Sequence, residues 1–242
     1  MILIAVSIVA IMICLIISLF ILAIIKQHRK VLKWQQARIK AEIDTLENER
    51  KRIASDLHDE LGPMLSAIKL QINHLEPSDE TETAVLSKSS NQIDSIIQRF
   101  RDISYDLLPN TLIRKGLVKA VEEFIDKLKR VSPVKIRFTS PELHLNKDQE
   151  LNIFRILQEI IHNAIKHSRA SSLDIQIQNL DNAIRVSTVD DGVGFNYEEK
   201  LKVSNGLGLL NLESRAEVLN GKWQIITAPG KGSRFILDIP KD

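Results

Sequence analysis

Apolar side chains fall along the first half of the chain with a helical rhythm. From Leu32 to Leu57 the seam Leu32, Gln36, Ile39, Ile43, Leu46, Arg50, Ile53 and Leu57 advances in alternating steps of four and three, a heptad pattern interrupted by Gln36 and Arg50. It continues through Leu61, Leu65, Ile68 and Ile72, and Pro77 closes it. A second run places Leu86, Ile93, Ile96, Phe100, Ile103 and Leu107 at similar spacing and stops at Pro109. The pattern predicts two long amphipathic helices joined by a short turn over Glu76–Glu80, an antiparallel hairpin. Such a hairpin cannot bury both stripes alone, so pairing with a second copy into a four-helix bundle, a homodimer, is expected.

Beyond about residue 110 the texture changes. Helical spacing is predicted over 114–130, 149–167 and 207–219, and strand alternation over 135–139, 173–178, 184–189, 223–228 and 234–239. Strands and helices mixed in one block with Gly-rich connections imply a compact α+β layer domain, an α/β sandwich.

The first 25 residues set the expected compartment. Ile2 to Ile25 carries no charge, and its only polar side chains are Ser7 and Ser18. About 24 residues of helix span about 36 Å, enough for a bilayer core of about 30 Å. A secretory signal peptide fits poorly, because no basic segment precedes the run and no small-x-small cleavage site follows it. Lys26, Arg29, Lys30, Lys33, Arg38 and Lys40 come next with no acid among residues 26–40, which places everything after Lys26 in the cytoplasm by the positive-inside rule. The expectation is a single-pass transmembrane anchor over 1–25 and a juxtamembrane coiled coil over 26–57. With only Met1 ahead of the run, no extracellular domain is expected.

Composition adds exclusions. The 242 residues hold 33 basic and 31 acidic side chains, so overall charge gives no argument for direct nucleic-acid binding. The single cysteine, Cys14, sits in the apolar run and leaves neither a disulfide framework nor a cysteine metal site.

Four short segments carry the candidate chemistry. On the first long helix, Glu49 to Gly62 contains His58-Asp59-Glu60. Near-neutral imidazole is a competent nucleophile, and a carboxylate bonded to its other nitrogen raises its basicity. On the residues alone, a solvated histidine on a charged helix face is the commoner outcome. Further on, Glu159, Asn163 and His167 recur every four residues and share a helix face. An amide oxygen at Asn163 suits Mg²⁺, which keeps several waters and takes its other oxygens from phosphates. Asp190-x-Gly192-x-Gly194 follows an alternating strand. Its glycines permit close backbone approach to a flat ligand, and its carboxylate accepts from an exocyclic amine, although the same pattern is also an ordinary turn. Gly206-Leu-Gly208 opens a helix, where free N–H groups suit phosphate. Gly230-Lys-Gly232-Ser233 also reads as a hairpin turn.

In this order the segments resemble the two-component sensor histidine kinases whose phosphoacceptor motif begins His-Asp, a subgroup that partners with helix-turn-helix response regulators. The likeness covers residues 49–239. It implies a dimerisation and histidine phosphotransfer domain over 48–109 and a catalytic ATP-binding domain over 110–242. His58 then matches the phosphoacceptor and Asp59 its acid/base partner, with Glu159 ordering the metal shell or assisting proton movement. Asn163 matches the Mg²⁺ ligand, Lys166 and His167 lie at positions near the phosphates, and Asp190 reads the adenine amino group. Gly192, Gly194, Gly206 and Gly208 match nucleotide-binding glycines, with a short ATP lid over Asn196–Asn205. ATP and Mg²⁺ are the implied cofactors. The implied partners are a second copy of the chain, the receiver domain of a response regulator and the bacterial inner membrane.

One position departs from the subgroup. Gln usually stands five residues after the histidine, where it positions water to remove phosphate from the partner; here Pro63 follows Gly62. Proline removes an N–H and is expected to kink the helix one turn past His58. Kinases with proline at that place carry a hydroxyl or amide residue before it, and Gly62 supplies neither. Two other readings share these features. A non-catalytic docking or scaffold protein with a degenerate nucleotide domain is opposed by intact Asn163, Asp190, Gly192 and Gly194. An ATPase or serine kinase of the same ATP fold lacks a hairpin carrying His-Asp.

Overall fold

The computed structural model describes residues 2–129, 132–202 and 207–241; for 2–11, 13, 14, 16, 17, 29, 32, 58, 201, 202 and 207 it describes the backbone only. The chain divides into two compact units, residues 1–43 and 44–242. The first is helical throughout its described length, being the beginning of α1 (Ile2–Asp56). Among the described residues no helix is long and apolar enough to cross a membrane. Most side chains of the expected span over 1–25 lie outside the described residues, so the apolar stretch that is described is too short to qualify.

In the second unit, α1 runs to Asp56 and passes into one π-helical segment, Leu57–Leu61, before resuming as α2 (Gly62–Asn73). Pro63 lies in the first turn of α2 and has no N–H to offer the preceding turn, which is where the α-ladder is interrupted. After the connection 74–79, α3 (Glu80–Leu107) starts on Asp79, whose carboxylate accepts from the Glu82 N–H. Lys69 of α2 reaches Asp94 of α3 at 2.6 Å, and Asn73 accepts from Ser90. The two-helix hairpin expected from the heptads is therefore formed. Met64, Ile68, Leu70, Leu75, Ile96 and Ile103 stay exposed on it.

The remainder forms a two-layer block. A five-stranded sheet has the order β1 (Lys135–Thr139), β2 (Ser172–Asn179), β3 (Ala183–Asp190), β5 (Ser233–Pro240), β4 (Lys222–Thr227). The β1–β2 pair is parallel and the other pairs are antiparallel. Helices α4 (Asn110–Leu128), α5 (Lys147–His167) and α7 (Leu207–Val218) share one core with the sheet. Leu173, Ile175, Ile177, Val186, Leu237 and Ile239 point into it, while Arg137–Asp174 and Arg185–Asp238 pairs line the opposite face. Burying each large aliphatic there contributes about 1.5–3 kcal/mol.

Local sequence explains α5, the helix central to the site. Asn146 caps it in a reciprocal box with Gln149, acids occupy its first turn, and Lys166 and His167 occupy its last. Its buried stripe Ile153, Ile156, Ile160, Ile161 and Ala164 turns Glu159, Asn163 and His167 toward the sheet edge. Helix α4 is interrupted at Gly116 (φ 79°), whose neighbour Leu117 donates its N–H to Glu150 on α5. A short α6 (Tyr197–Lys202) lies within the stretch expected to be a lid.

Candidate active site

A cavity of about 510 Å³ opens between the last turns of α5, the end of β3 and the start of α7. Glu159, Asn163 and His167 enter it from α5, Asp190 and Gly194 from the β3 exit, Gly208 from α7 and Ser233 from β5. Residues far apart in the chain meet because β3 and β5 are hydrogen-bonded neighbours with Asp190 opposite Ser233, and α5 packs beside α7.

Asp190 is buried on the core side of β3. Its carboxylate accepts the Gly192 N–H at 2.9 Å. Burial pushes this carboxyl above the usual carboxylate range, while the Gly192 N–H and Ser233 pull the other way. The adjacent Asp191 turns outward and accepts from the backbone N–H and hydroxyl groups of Ser171 and Ser172, which fixes the strand exit. Gly194 has φ +58°, and a Cβ there would fall within 2.8 Å of the Gly232 carbonyl. Having no Cβ at Gly194 is what lets the Asp190–Phe195 backbone lie against the Gly230–Ser233 turn.

On α5, the Asn163 amide donates Nδ2–H to Glu159 Oε1 at 3.0 Å. The amide oxygen is thereby directed away from Glu159. Gly208 at the mouth of α7 comes so close that a Cβ would stand 2.5 Å from Glu159 Oε1. Among the described residues no cluster of three or more His, Cys, Asp or Glu side chains is placed to hold a metal. A hard cation at this cavity fits Asn163 as a single amide-oxygen ligand, its other oxygens coming from phosphate and water.

The other sequence candidates are placed as follows. Lys166 is exposed and does not line the cavity, since it projects about 100° around α5 from His167. Lys200 of α6 lines the cavity, as do Phe195 and Ser168, none of them a sequence candidate. Phe195 follows Gly194 directly in the motif, and Lys200 falls within the stretch Asn196–Asn205 expected to be a lid, although neither was singled out. Gly192 sits behind the rim, where a Cβ would stand 2.7 Å from the Ser168 Cβ. Gly206 lies outside the described residues. His58 is in the π-helical segment, and its side chain lies outside the described residues. Asp59 beside it accepts from Ser55 Oγ at 2.8 Å.

A second group of polar residues escaped the sequence altogether. Glu47 near the end of α1 accepts from Arg155 of α5 at 2.8 Å and from Arg215 of α7 at 2.6 Å. The partners lie 108 and 168 residues away in the chain, beyond the reach of any periodicity.

Comparison with known proteins bears on both halves. Residues 148–242 match the family described as histidine kinase-, DNA gyrase B-, and HSP90-like ATPase, and residues 49–112 match a family described as histidine kinase. Sensor histidine kinase ComP of Bacillus subtilis (strain 168) is 31% identical over 203 residues, covering 80% of this chain and 26% of that protein. Sensor histidine kinase LiaS of the same organism is 27% identical over 212 residues, covering 86% of this chain and 58% of that protein. The chain thus spans about a quarter of one of these relatives and less than two thirds of the other. The histidine kinase domain of the blue-light activated histidine kinase EL346 from Erythrobacter litoralis shares the fold, with a TM-score of 0.51 at 17% identity, over 80% of this chain and 93% of that one.

Proposed function

The chain belongs to the sensor histidine kinases, and from that premise we propose that it phosphorylates itself on His58 from ATP and passes the phosphoryl group to an aspartate of a response regulator. The observation that carries this reading is the cavity uniting Glu159, Asn163 and His167 with Asp190 and Gly208. Its volume, about 510 Å³, suits a nucleotide-sized ligand.

In this reading Asp190 accepts from the exocyclic amine of adenine, and Gly192 and Gly194 let the backbone approach the ring. The triphosphate runs toward Asn163, His167 and the start of α7, with Gly206 and Gly208 offering N–H groups there. Mg²⁺, when bound by Asn163 and the phosphates, neutralises charge on the transferring group. A neutral ring nitrogen of His58 attacks the γ-phosphorus, the P–O bond to ADP breaks, and Asp59 takes up the imidazolium proton. The P–N bond then yields to a receiver carboxylate while Asp59 returns the proton to the ring, leaving His58 as neutral imidazole. The partner is expected to be a regulator of the helix-turn-helix kind.

Two further elements belong to the proposal. Exposed Met64, Ile68, Ile96 and Ile103 on the hairpin support a homodimer, because a second hairpin would cover them. The uncharged run Ile2–Ile25, followed by six cations before any acid, supports a single-pass anchor in the inner membrane with the catalytic part in the cytoplasm.

The test is incubation of the chain with γ-labelled ATP and Mg²⁺. An acid-labile, base-stable adduct is expected, and His58→Gln abolishes it while ATP binding stays normal. Label persisting in that variant sinks the phosphoacceptor assignment.

A further inference from the structure

Glu47 sits on α1, eleven residues ahead of His58, and its carboxylate is bound by three guanidinium groups at once, Arg155 and Arg215 from α5 and α7 and Arg50 of α1 itself at 3.4 Å. The Glu47 side chain is 11% exposed, against 2% for Arg155 and 9% for Arg215, so the node is largely shielded from water. Arg155 meets Glu47 through Nε at 3.1 Å and Nη2 at 2.8 Å, and also donates to the carbonyls of Asp106 and Leu107 at the end of α3. Arg215 donates its remaining arm to Asn152 at 3.0 Å. Burial alone would lift the Glu47 carboxyl, but Arg155 and Arg215 outweigh it and hold the group below the usual carboxylate range. The carboxylate is therefore ionised at neutral pH and firmly held.

The two arginines stand on the two helices that line the nucleotide cavity. Arg155 precedes Glu159 and Asn163 by one and two turns of α5, and Arg215 follows Gly208 by two turns of α7. One carboxylate of α1 thus holds both walls. A cleft of about 270 Å³ beside it is lined by Arg50, Arg155, Glu159, His162, Asn211 and Arg215. Glu159 borders this cleft and the cavity alike, so the phosphate side of the cavity faces α1 at Arg50. Arg50 lies eight residues before His58, about 12 Å along a helix. Leu57, Asp59, Glu60 and Leu61, which flank His58, line neither the cavity nor the cleft.

Resting on the kinase reading above, we infer that Glu47 is an inhibitory clasp: it parks the ATP-binding domain on α1 short of the phosphoacceptor, and withdrawing Glu47 frees the domain to reach His58. A rotation or slide of α1 moves Glu47 directly, because that residue is part of the helix. The hinge that then bends is the segment 107–110, which the same Arg155 holds through the Leu107 carbonyl.

The test compares Glu47→Gln with wild type, measuring labelling rate, ATP affinity and amide exchange across 107–110. Glu47→Gln is expected to label His58 roughly tenfold faster, with ATP affinity within about twofold and faster exchange at the hinge. A purely structural ion pair would lower melting temperature without raising the rate. Should Glu47→Gln fail to fold, Glu47→Asp keeps the charge, retracts it by one methylene and is expected to give a smaller acceleration. Unchanged or slower labelling in the folded variant overturns the clasp. Wild-type protein that binds ATP but takes no label refutes the kinase reading instead.

Discussion

Asn163 donates its amide N–H to Glu159 one turn earlier on α5, at 3.0 Å, and this bond decides which face of the amide is left for a cation. On the proposed reading, Asn163→Ala removes the amide oxygen that would hold Mg²⁺. Labelling is expected to vanish, while binding of nucleotide without metal persists. Glu159→Gln keeps a hydrogen-bond acceptor for the amide and is expected to lower the affinity for Mg²⁺ by only about 10–100-fold. Titrating Mg²⁺ against labelling rate in the two variants checks the order of severity.

On the proposed reading, Asp190 sets the pH dependence of nucleotide binding. Reading an amine requires the carboxylate form, and burial raises the Asp190 carboxyl above the usual range. Nucleotide affinity is therefore complete above the raised value and is lost as pH falls through it, starting at a higher pH than an ordinary aspartate would give. Asp190→Ala should weaken ATP binding by about 1–3 kcal/mol and erase both that pH step and discrimination against GTP. ATP and GTP titrations from pH 4 to 7 provide the measurement. An Asp190→Ala protein with wild-type affinity and selectivity contradicts the assignment.

Gly62 and Pro63 bear on removal of phosphate from the partner. Neither side chain has a polar atom to hold water in line, so wild type is expected to dephosphorylate its regulator poorly even with ADP present. A Cβ at Gly62 meets nothing within 4 Å, and its φ of −59° is helical, so the position accepts a side chain. Gly62→Ala is expected to stabilise the fold by about 0.5–1 kcal/mol without changing this activity. Gly62→Gln supplies an amide without removing Pro63 and is expected to accelerate decay of the isolated phospho-regulator. Rapid decay with wild type would show that another side chain holds the water.

Much of the architecture follows from local pattern. The heptads of α1 to α3, the capped apolar stripe of α5 and the alternation of β2, β3 and β5 are properties of residues a few positions apart, and each forms where its period indicates. Asp190, Asn163 and Gly194 were legible for the same reason: carboxylate, amide and glycine stand at spacings that put them on one helix face or one strand exit. Tertiary structure decided what spacing cannot express. Helix α6 is tied down by Tyr197 bonding to Glu213 on α7, and so brings Lys200 to the cavity while Lys166 stays outside it. Gly116 breaks α4 at a point where Leu117 turns to Glu150. Above all, Glu47 reads in sequence as one more solvated acid of a coiled coil. Only the packing of α5 and α7 against α1 shields it from water, and there Arg155 and Arg215 become its necessary partners beside Arg50 of its own helix.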